Sequence, residues 1–434
     1  MHVGVIGAGW AGLACAVRAT QLGHQVTVLE ASDQLGGRAR SAHWPGHSGA
    51  PLDNGQHILI GAYTQTLELM RVVGMTPDTH FLRCPLTLKW PDGGGIELPD
   101  WPPPLDLAAG VLRAHSWTLA DKLSLLRVGS RWGLEKFTCA DHFTVNDICH
   151  GLTPRIRDTL IEPLCVSALN TPPERASAAV FLRVLRDALI GGRGSSNYLL
   201  PRQDLSSLFP LPAVQWLKQA GQTVLRRARV PEINLVGKLQ SGPWKAHDLI
   251  FDHVAIATDP SNAMRLLQGL TPMNDKRLMD RTQAWSALVS DMTYEGMGTV
   301  YVQCDQEVRL PHPILALKNG ADIGPAQFVF DRGQLTGHHG LLSFVISACT
   351  LTRADAELQV LEQARSQLGL RHMSVHAIIE KRATFACTPA LKRPSMQIAP
   401  GLWACGDYVD GPYPATLEGA VRSGIAVAEA VASR

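Results

Sequence analysis

The chain has 434 residues, with 40 Lys and Arg against 38 Asp and Glu and a formal net charge of +2, so its charge balance excludes the strongly basic surface of a nucleic-acid binder. Hydrophobic residues reach 45% and charged ones 18%, below the roughly 25% charged content of ordinary soluble domains, a composition suited to work beside lipid. No uncharged apolar run has the span of about 18 residues that a membrane-crossing helix needs, and the chain starts as a strand rather than a cleavable leader, so a cytoplasmic protein is expected.

The first predicted element is a strand, His2 to Ile6, followed by Gly7-Ala8-Gly9-Trp10-Ala11-Gly12 and an alanine-rich helix over Leu13 to Leu22. Gly7 makes the tight turn, and Gly9 lets backbone approach a pyrophosphate. Gly12 lets the helix pack on the strand with its positive end towards the anion. A second strand, Gln25 to Leu29, ends at Glu30 and Ala31. Glu30 lies 18 residues after Gly12 and suits the two hydroxyls of an adenosine ribose, while repelling a 2′-phosphate. The pattern predicts FAD or NAD rather than NADP.

Leu35-Gly36-Gly37-Arg38-Ala39-Arg40-Ser41 adds a second glycine pair with a guanidinium beside it, a second approach to the pyrophosphate. After Asp53-Asn54-Gly55-Gln56-His57 comes a Pro-rich turn, Pro99 to Pro104, which stops any preceding strand. Leu105 to Leu112 and Leu119 to Val128 carry leucines at helical spacing with Lys122, Arg127 and Arg131 among or just after them. Such a basic amphipathic pair suits either a membrane interface or packing on the domain core. Gly191-Gly192-Arg193-Gly194-Ser195-Ser196 reads as a surface loop or a lid hinge.

Further on, Val224 to Val230, Leu235 to Leu239 and Asp252 to Pro260 read as short strands, the last ending in a turn. Strands are predicted over Ser286 to Tyr294, Thr299 to Cys304, Gln327 to Asp331 and Gly340 to Ala348, then a helix over Arg353 to Leu368. Gly401 to Asp407 reads as a strand closing on Gly406-Asp407, where Asp407 is placed to accept hydrogen bonds from a flavin's ribityl chain. A helix over Ala415 to Ala432 follows, and Ala415, Thr416 and Leu417 at its start would bring its dipole to the flavin ring. Nine cysteines without a Cys-x-x-Cys pair read as small core residues, and no metal site is expected.

These ends resemble the FAD-dependent amine oxidase and carotenoid desaturase superfamily. Asp53 to Tyr63, Glu162-Pro163-Leu164-Cys165-Val166-Ser167-Ala168-Leu169-Asn170-Thr171-Pro172-Pro173 and Gly411 to Ala420 narrow the resemblance to the hydroxysqualene dehydroxylases of bacterial hopanoid synthesis, nearly end to end. The implied fold is α/β, a Rossmann-like FAD-binding domain of the glutathione-reductase or amine-oxidase type with an interleaved α+β substrate domain. The FAD domain is assigned to 1–85, 206–270 and 378–434. The substrate domain is assigned to 86–205 and 271–377, with 104–190 facing a membrane.

The resemblance also implies non-covalent FAD, with Val230 presenting backbone to the adenine and Asn54, Gly55, Gln56 and His57 near the flavin. It implies an apolar C30 isoprenoid substrate, an electron donor that the sequence does not name, and peripheral contact with the inner face of the cytoplasmic membrane. In that reaction an allylic hydroxyl leaves with proton assistance and reduced flavin delivers hydride. His57 is the first candidate acid, since an unperturbed imidazole titrates near pH 6.5; Asp53, Tyr63 and Tyr413 are the others. Alternatively Asp53 and Asn54 cap a helix, and Gln56 and His57 bond cofactor or backbone. An oxidative isoprenoid desaturase, an amine oxidase and a non-catalytic flavin or lipid carrier remain open readings.

Overall fold

The computed structural model describes residues 1–45, 52–236, 243–270, 276–320, 322–371 and 373–433. Its central sheet has six strands. His2–Ile6 lies between Gln25–Leu29 and His253–Ile256, parallel to both. Thr223–Leu225 extends the sheet on one side, and Leu402–Ala404 then Gln397–Ala399 on the other. Val3 to Ile6 and Val26 to Leu29 are buried throughout, the unbroken apolar run that a sheet covered on both faces requires.

Two helices, Trp10–Gln21 and Leu417–Ala432, pack together beside this sheet. Small residues permit their approach, since a Cβ on Gly424 would lie 2.1 Å from the Ala11 carbonyl oxygen. Gly12 serves the neighbouring contact, where a Cβ would meet the Gly7 oxygen at 2.0 Å.

A second, antiparallel sheet has the order Ile314–Ala316, Phe328–Asp331, Leu341–Ser347, Tyr294–Gln303, Ser374–Phe385. The helix Arg353–Leu368 buries Val360 and Ala364 in a cluster with Val300, Val302 and Phe344 of this sheet. Helices Leu105–Arg113, Leu119–Leu134, Glu162–Leu169 and Ala178–Ile190 form most of the remaining block.

Several elements differ from the sequence reading. Ser286 to Ser290 belongs to the helix Lys276–Ser290, because Leu278, Thr282, Trp285 and Val289 are buried at spacings of four, three and four, a helical period rather than alternation. The strand expected over Val224 to Val230 stops at Leu225, where Arg227 takes a positive φ of 56° and its guanidinium pairs with Asp33. Ile233–Leu235 is a strand, but residues 237–239 of the expected Leu235–Leu239 strand lie outside the described residues.

The first helix starts at Trp10, three residues early, and the last at Leu417, because Thr416 is its N-cap and Ala415 has φ 57°. The proposed boundary at 378 falls inside the strand Ser374–Phe385, that at 205 cuts the helix Leu205–Leu208, and the small sheet of Leu59–Ile60, Tyr198–Pro201 and Phe81–Cys84 joins residues on either side of that at 86. The 191–196 loop is anchored rather than loose: Ser195 and Ser196 are buried, and a Cβ on Gly61 would meet the Gly194 oxygen at 1.9 Å.

Candidate functional site

A cavity of about 510 Å³ opens at the carboxyl ends of the central parallel strands. Gly7 turns the chain there with φ 110°, its amide donating to the Leu29 carbonyl at 2.8 Å. The Gly36 amide donates to the Ala8 carbonyl at 2.9 Å, and Gly9 and Gly36 pair as an isolated bridge, so the two glycine-rich segments form one floor. Gly7, Gly9, Trp10, Ala11, Gly36 and Gly37 all border the cavity. Gly12 does not; its place is the strand contact described above. Trp10 is held by an indole N–H to the Ala39 carbonyl at 2.9 Å and packs on Phe209.

Glu30 and Ala31 line the same cavity. The Glu30 carboxylate accepts from the amides of Ala8 (2.7 Å) and Ser32 (2.8 Å), which fixes it at the end of its strand. Val230 also borders the space, and its carbonyl accepts from Arg265 at 3.3 Å. Arg265, Asp259 and Asn262 complete this end and were missed from sequence. Asp259-Pro260 read as a turn, whereas the Asp259 carboxylate caps the helix Pro260–Gln268, a start that Asp before Pro does signal.

At the opposite wall Arg38 donates to the Asp407 carboxylate and, at 2.6 Å, to the Ala383 carbonyl. The Gly406 amide donates to Ser423 at 2.8 Å. Ala415, Thr416 and Leu417 bring the start of the last helix to the cavity, and the Thr416 hydroxyl accepts from the Gly419 amide at 3.0 Å. Its first-turn acid, Glu418, is fully buried and taken by Thr66 and Arg422, so it does not neutralise the helix end towards the cavity.

Asn54, Gly55, Gln56 and His57 run along the cavity in sequence. The Asn54 amide side chain donates to the Arg38 carbonyl at 3.2 Å. His57 Nδ1 lies 2.8 Å from the Gly55 carbonyl, an oxygen that only accepts, so Nδ1 carries the hydrogen and Nε2 is an acceptor. Burial lowers the His57 pKa from 6.5; the bond to Gly55 opposes this and the Arg38 charge adds to it. Burial therefore works against the imidazolium that an acid role for His57 needs, and favours the neutral ring.

Tyr63 borders the cavity, and burial raises its phenol well above the ordinary value. Asp53 and Tyr413, named as candidate acids, do not border it. Asp53 is 1% exposed, accepts from the Leu205 amide at 2.7 Å and faces Arg332 at 3.5 Å; burial pushes its pKa up to about 7 against the pull of Arg332. It caps no following helix in sequence, but meets the start of the distant helix Leu205–Leu208. Tyr413 stands edge-on to Tyr63 and donates its hydroxyl to Asp187 at 2.7 Å. Asn170, Met297 and Thr384 line the cavity unforeseen, although Asn170 sits within the motif that carried the resemblance. Its side chain bonds Gly296, Thr384 and Ala348, tying the end of the helix Glu162–Leu169 to the antiparallel sheet.

These residues fit a dinucleotide. A Cβ at Gly9 would meet nothing of the protein nearer than Gly37 Cα at 3.8 Å, so packing does not demand a glycine there, whereas a group lying in the cavity does. Two helix N-termini face the same space and suit a pyrophosphate. No group of metal-binding side chains occurs among the described residues.

Fold and site together define a flavoprotein oxidoreductase whose cavity along the carboxyl edge of a parallel sheet would hold FAD. The chain belongs to the flavin containing amine oxidoreductase family, whose model matches residues 10–432. It is similar to the hydroxysqualene dehydroxylase of Rhodopseudomonas palustris, with 30% identity over 99% of this chain and 98% of that protein. The hydroxysqualene dehydroxylase of Sinorhizobium fredii is 26% identical over 98% of this chain and 96% of its own length. Among solved structures, an oxidoreductase from Methanosarcina mazei superposes with a TM-score of 0.71 at 14% identity, covering 99% of this chain and 100% of that one, which shows the fold.

Proposed function

We propose that this chain reductively removes the hydroxyl of hydroxysqualene to give squalene. The observation that carries the reading is the juxtaposition of the glycine floor with a wall of Ile58, Ala168, Leu169 and Met297 around neutral Gln56 and His57. A hydrocarbon chain suits such a wall, and end-to-end similarity to two hydroxysqualene dehydroxylases supports the assignment. The C–O bond breaks, the hydroxyl leaves as water with one added proton, and a hydride takes its place on carbon. Bound in its reduced form, FAD supplies that hydride.

The protein's own part is to bind and to exclude water. Glu30 is assigned to the ribose, Arg38 and the glycine pairs to the pyrophosphate, and Asp407 to the ribityl chain. Neutral His57 turns Nε2 as an acceptor, and burial holds Tyr63 in its O–H form, which suits it to hydrogen-bond the departing oxygen as a donor while making it a weak acid. An external electron donor recharges the flavin.

The substrate class also assigns the helical block to a membrane surface. On Leu119–Leu134 the stripe opposite buried Val128 and Trp132 is apolar: Leu119 is 73% exposed and Leu134 86%, with Leu123 and Leu126 between them. Leu105 and Leu112 are exposed on the preceding helix, which Lys122 joins by donating to the Leu112 carbonyl at 2.8 Å. From Trp101 to Leu134 both acids, Asp106 and Asp121, are buried, while Arg113, Arg127 and Arg131 are exposed. Outward leucines with cations suit a bilayer containing anionic lipid. No helix among the described residues is long and apolar enough to cross a membrane.

Anaerobic mixing of photoreduced, FAD-loaded protein with hydroxysqualene tests the reaction. Flavin reoxidation with stoichiometric squalene is expected. Absence of reoxidation, with bleaching of the oxidised protein by a polyene precursor, would instead assign an oxidative desaturase.

A further inference from the structure

Behind the cavity wall lies a polar cluster that the assigned chemistry does not use. Gln56 is 6% exposed and borders the cavity, and its Oε1 accepts from Arg332 Nη1 at 3.2 Å and from Ser343 Oγ at 3.0 Å. Arg332 and Ser343 are both buried, at 1% and 0% exposure. A guanidinium has donors and no acceptor, so the carboxamide cannot flip without setting N–H against N–H. The oxygen is committed to the interior, and Nε2 is the other end. Among the described residues that nitrogen has one contact, 3.5 Å from the His57 carbonyl, too long for a good bond, so its two N–H groups are nearly free.

The same Nη1 of Arg332 faces Asp53 at 3.5 Å, and Tyr301 fixes Asp53 by accepting from its amide at 3.0 Å and donating to its carbonyl at 2.9 Å. The Gln56 amide also donates to Thr299 Oγ1 at 3.3 Å, so the backbone and the far end of the side chain are both held by the antiparallel sheet. A buried cation on the amide oxygen polarises the carboxamide and strengthens its N–H as a donor.

Resting on the reading proposed above, we propose that Gln56 presents a preoriented, uncharged hydrogen-bond donor to an acceptor oxygen bound in the cavity, and that Arg332 is the positioning residue that sets its orientation. Two oxygens share this chemistry: a carbonyl of the flavin ring and the hydroxyl of the substrate. The adjacent His57 Nε2 is an acceptor, so the two neighbours would offer a hydroxyl a donor and an acceptor side by side.

Gln56→Glu tests this in the FAD-loaded protein. It keeps the side-chain shape and an oxygen for Arg332, but replaces the donor with a second oxygen. Gln56→Met removes both, and Ser343→Ala loosens the orientation while leaving the amide in place. Each variant is compared with wild type for bound FAD, for flavin absorption and reduction potential, and for KM and kcat on hydroxysqualene.

A substrate oxygen predicts a loss of about ten- to hundred-fold in kcat/KM for Glu and Met, a smaller loss for Ser343→Ala, and an unchanged flavin potential. A flavin oxygen predicts a lowered potential and a shifted absorption band, readable without turnover. Wild-type potential, spectrum and kinetics in folded Gln56→Glu or Ser343→Ala would overturn the proposal and leave the cluster a purely structural one. Wild-type protein inert to hydroxysqualene would instead overturn the assigned substrate, while the flavin readouts still judge Gln56.

Discussion

Arg38 and Asp407, 369 residues apart in sequence, form an ion pair at the cavity wall that joins the second glycine pair to the Gly-Asp turn. The Asp407 side chain is 10% exposed, so removing the guanidinium leaves a nearly buried carboxylate without its counter-charge. Arg38→Ala should weaken FAD binding by about ten- to hundred-fold, the scale of one charged hydrogen bond. Equilibrium titration of the apoprotein with FAD checks this, and unchanged affinity would remove Arg38 from the cofactor site.

Gly9 and Gly12 separate cofactor space from packing space. Gly9→Val projects into the cavity and should yield folded protein without yellow colour. Gly12→Ala sets its methyl against the Gly7 oxygen and should lower the melting temperature of the apoprotein itself. Equal FAD content in wild type and Gly9→Val would contradict the cradle.

Neutral His57 has a pH signature. An imidazolium acid whose pKa lies below 6.5 would make the rate fall about tenfold per unit at higher pH. A profile flat from pH 7 to 8 is expected, with His57→Ala keeping FAD and losing turnover through the missing acceptor. A steep fall across that window would restore His57 as the acid.

Asp53 links folding to pH in the opposite sense from a carboxylate whose pKa is lowered by an ion pair. Its folded pKa of about 7 lies above the ordinary value, so its contribution to stability is complete below about pH 4 and is lost as pH rises through 7. Asp53→Asn cannot ionise, so its melting temperature relative to wild type should climb between pH 5 and 8. A difference that stays constant or shrinks would mean that the Arg332 attraction outweighs desolvation.

The outward leucines predict lipid binding. Wild-type protein should sediment with vesicles containing phosphatidylglycerol and dissociate partly at high salt. Replacing Leu119, Leu123 and Leu126 with serine should cost about tenfold in partitioning per leucine seated in lipid. Turnover in detergent should be unchanged; unaltered sedimentation would assign the face to another partner, such as a second copy of the chain.

The cofactor cradle was legible because its chemistry is local: a strand, glycines at fixed offsets and a terminal acid within 30 residues. Gln56 and His57 were visible as residue types, but their roles depend on Arg332 and Gly55, contacts that no spacing announces. Asp53 illustrates the same limit from the other side, since its burial comes from a partner 279 positions away. The error at Ser286 arose because the apolar run Ala287-Leu288-Val289 is too short to fix a period, and the buried residues before it, Leu278, Thr282 and Trp285, decide for a helix.

The packing of Gly424 against Ala11 orders events during synthesis. The first strand can pair early with Gln25–Leu29 but waits for its other neighbour at His253–Ile256, and the first helix for Leu417–Ala432, so the nascent chain holds half a nucleotide site until that helix has emerged. Flavin capture thus waits for the helix Leu417–Ala432, and a ribosome-stalled fragment lacking it would be colourless however well its amino-terminal turn had formed.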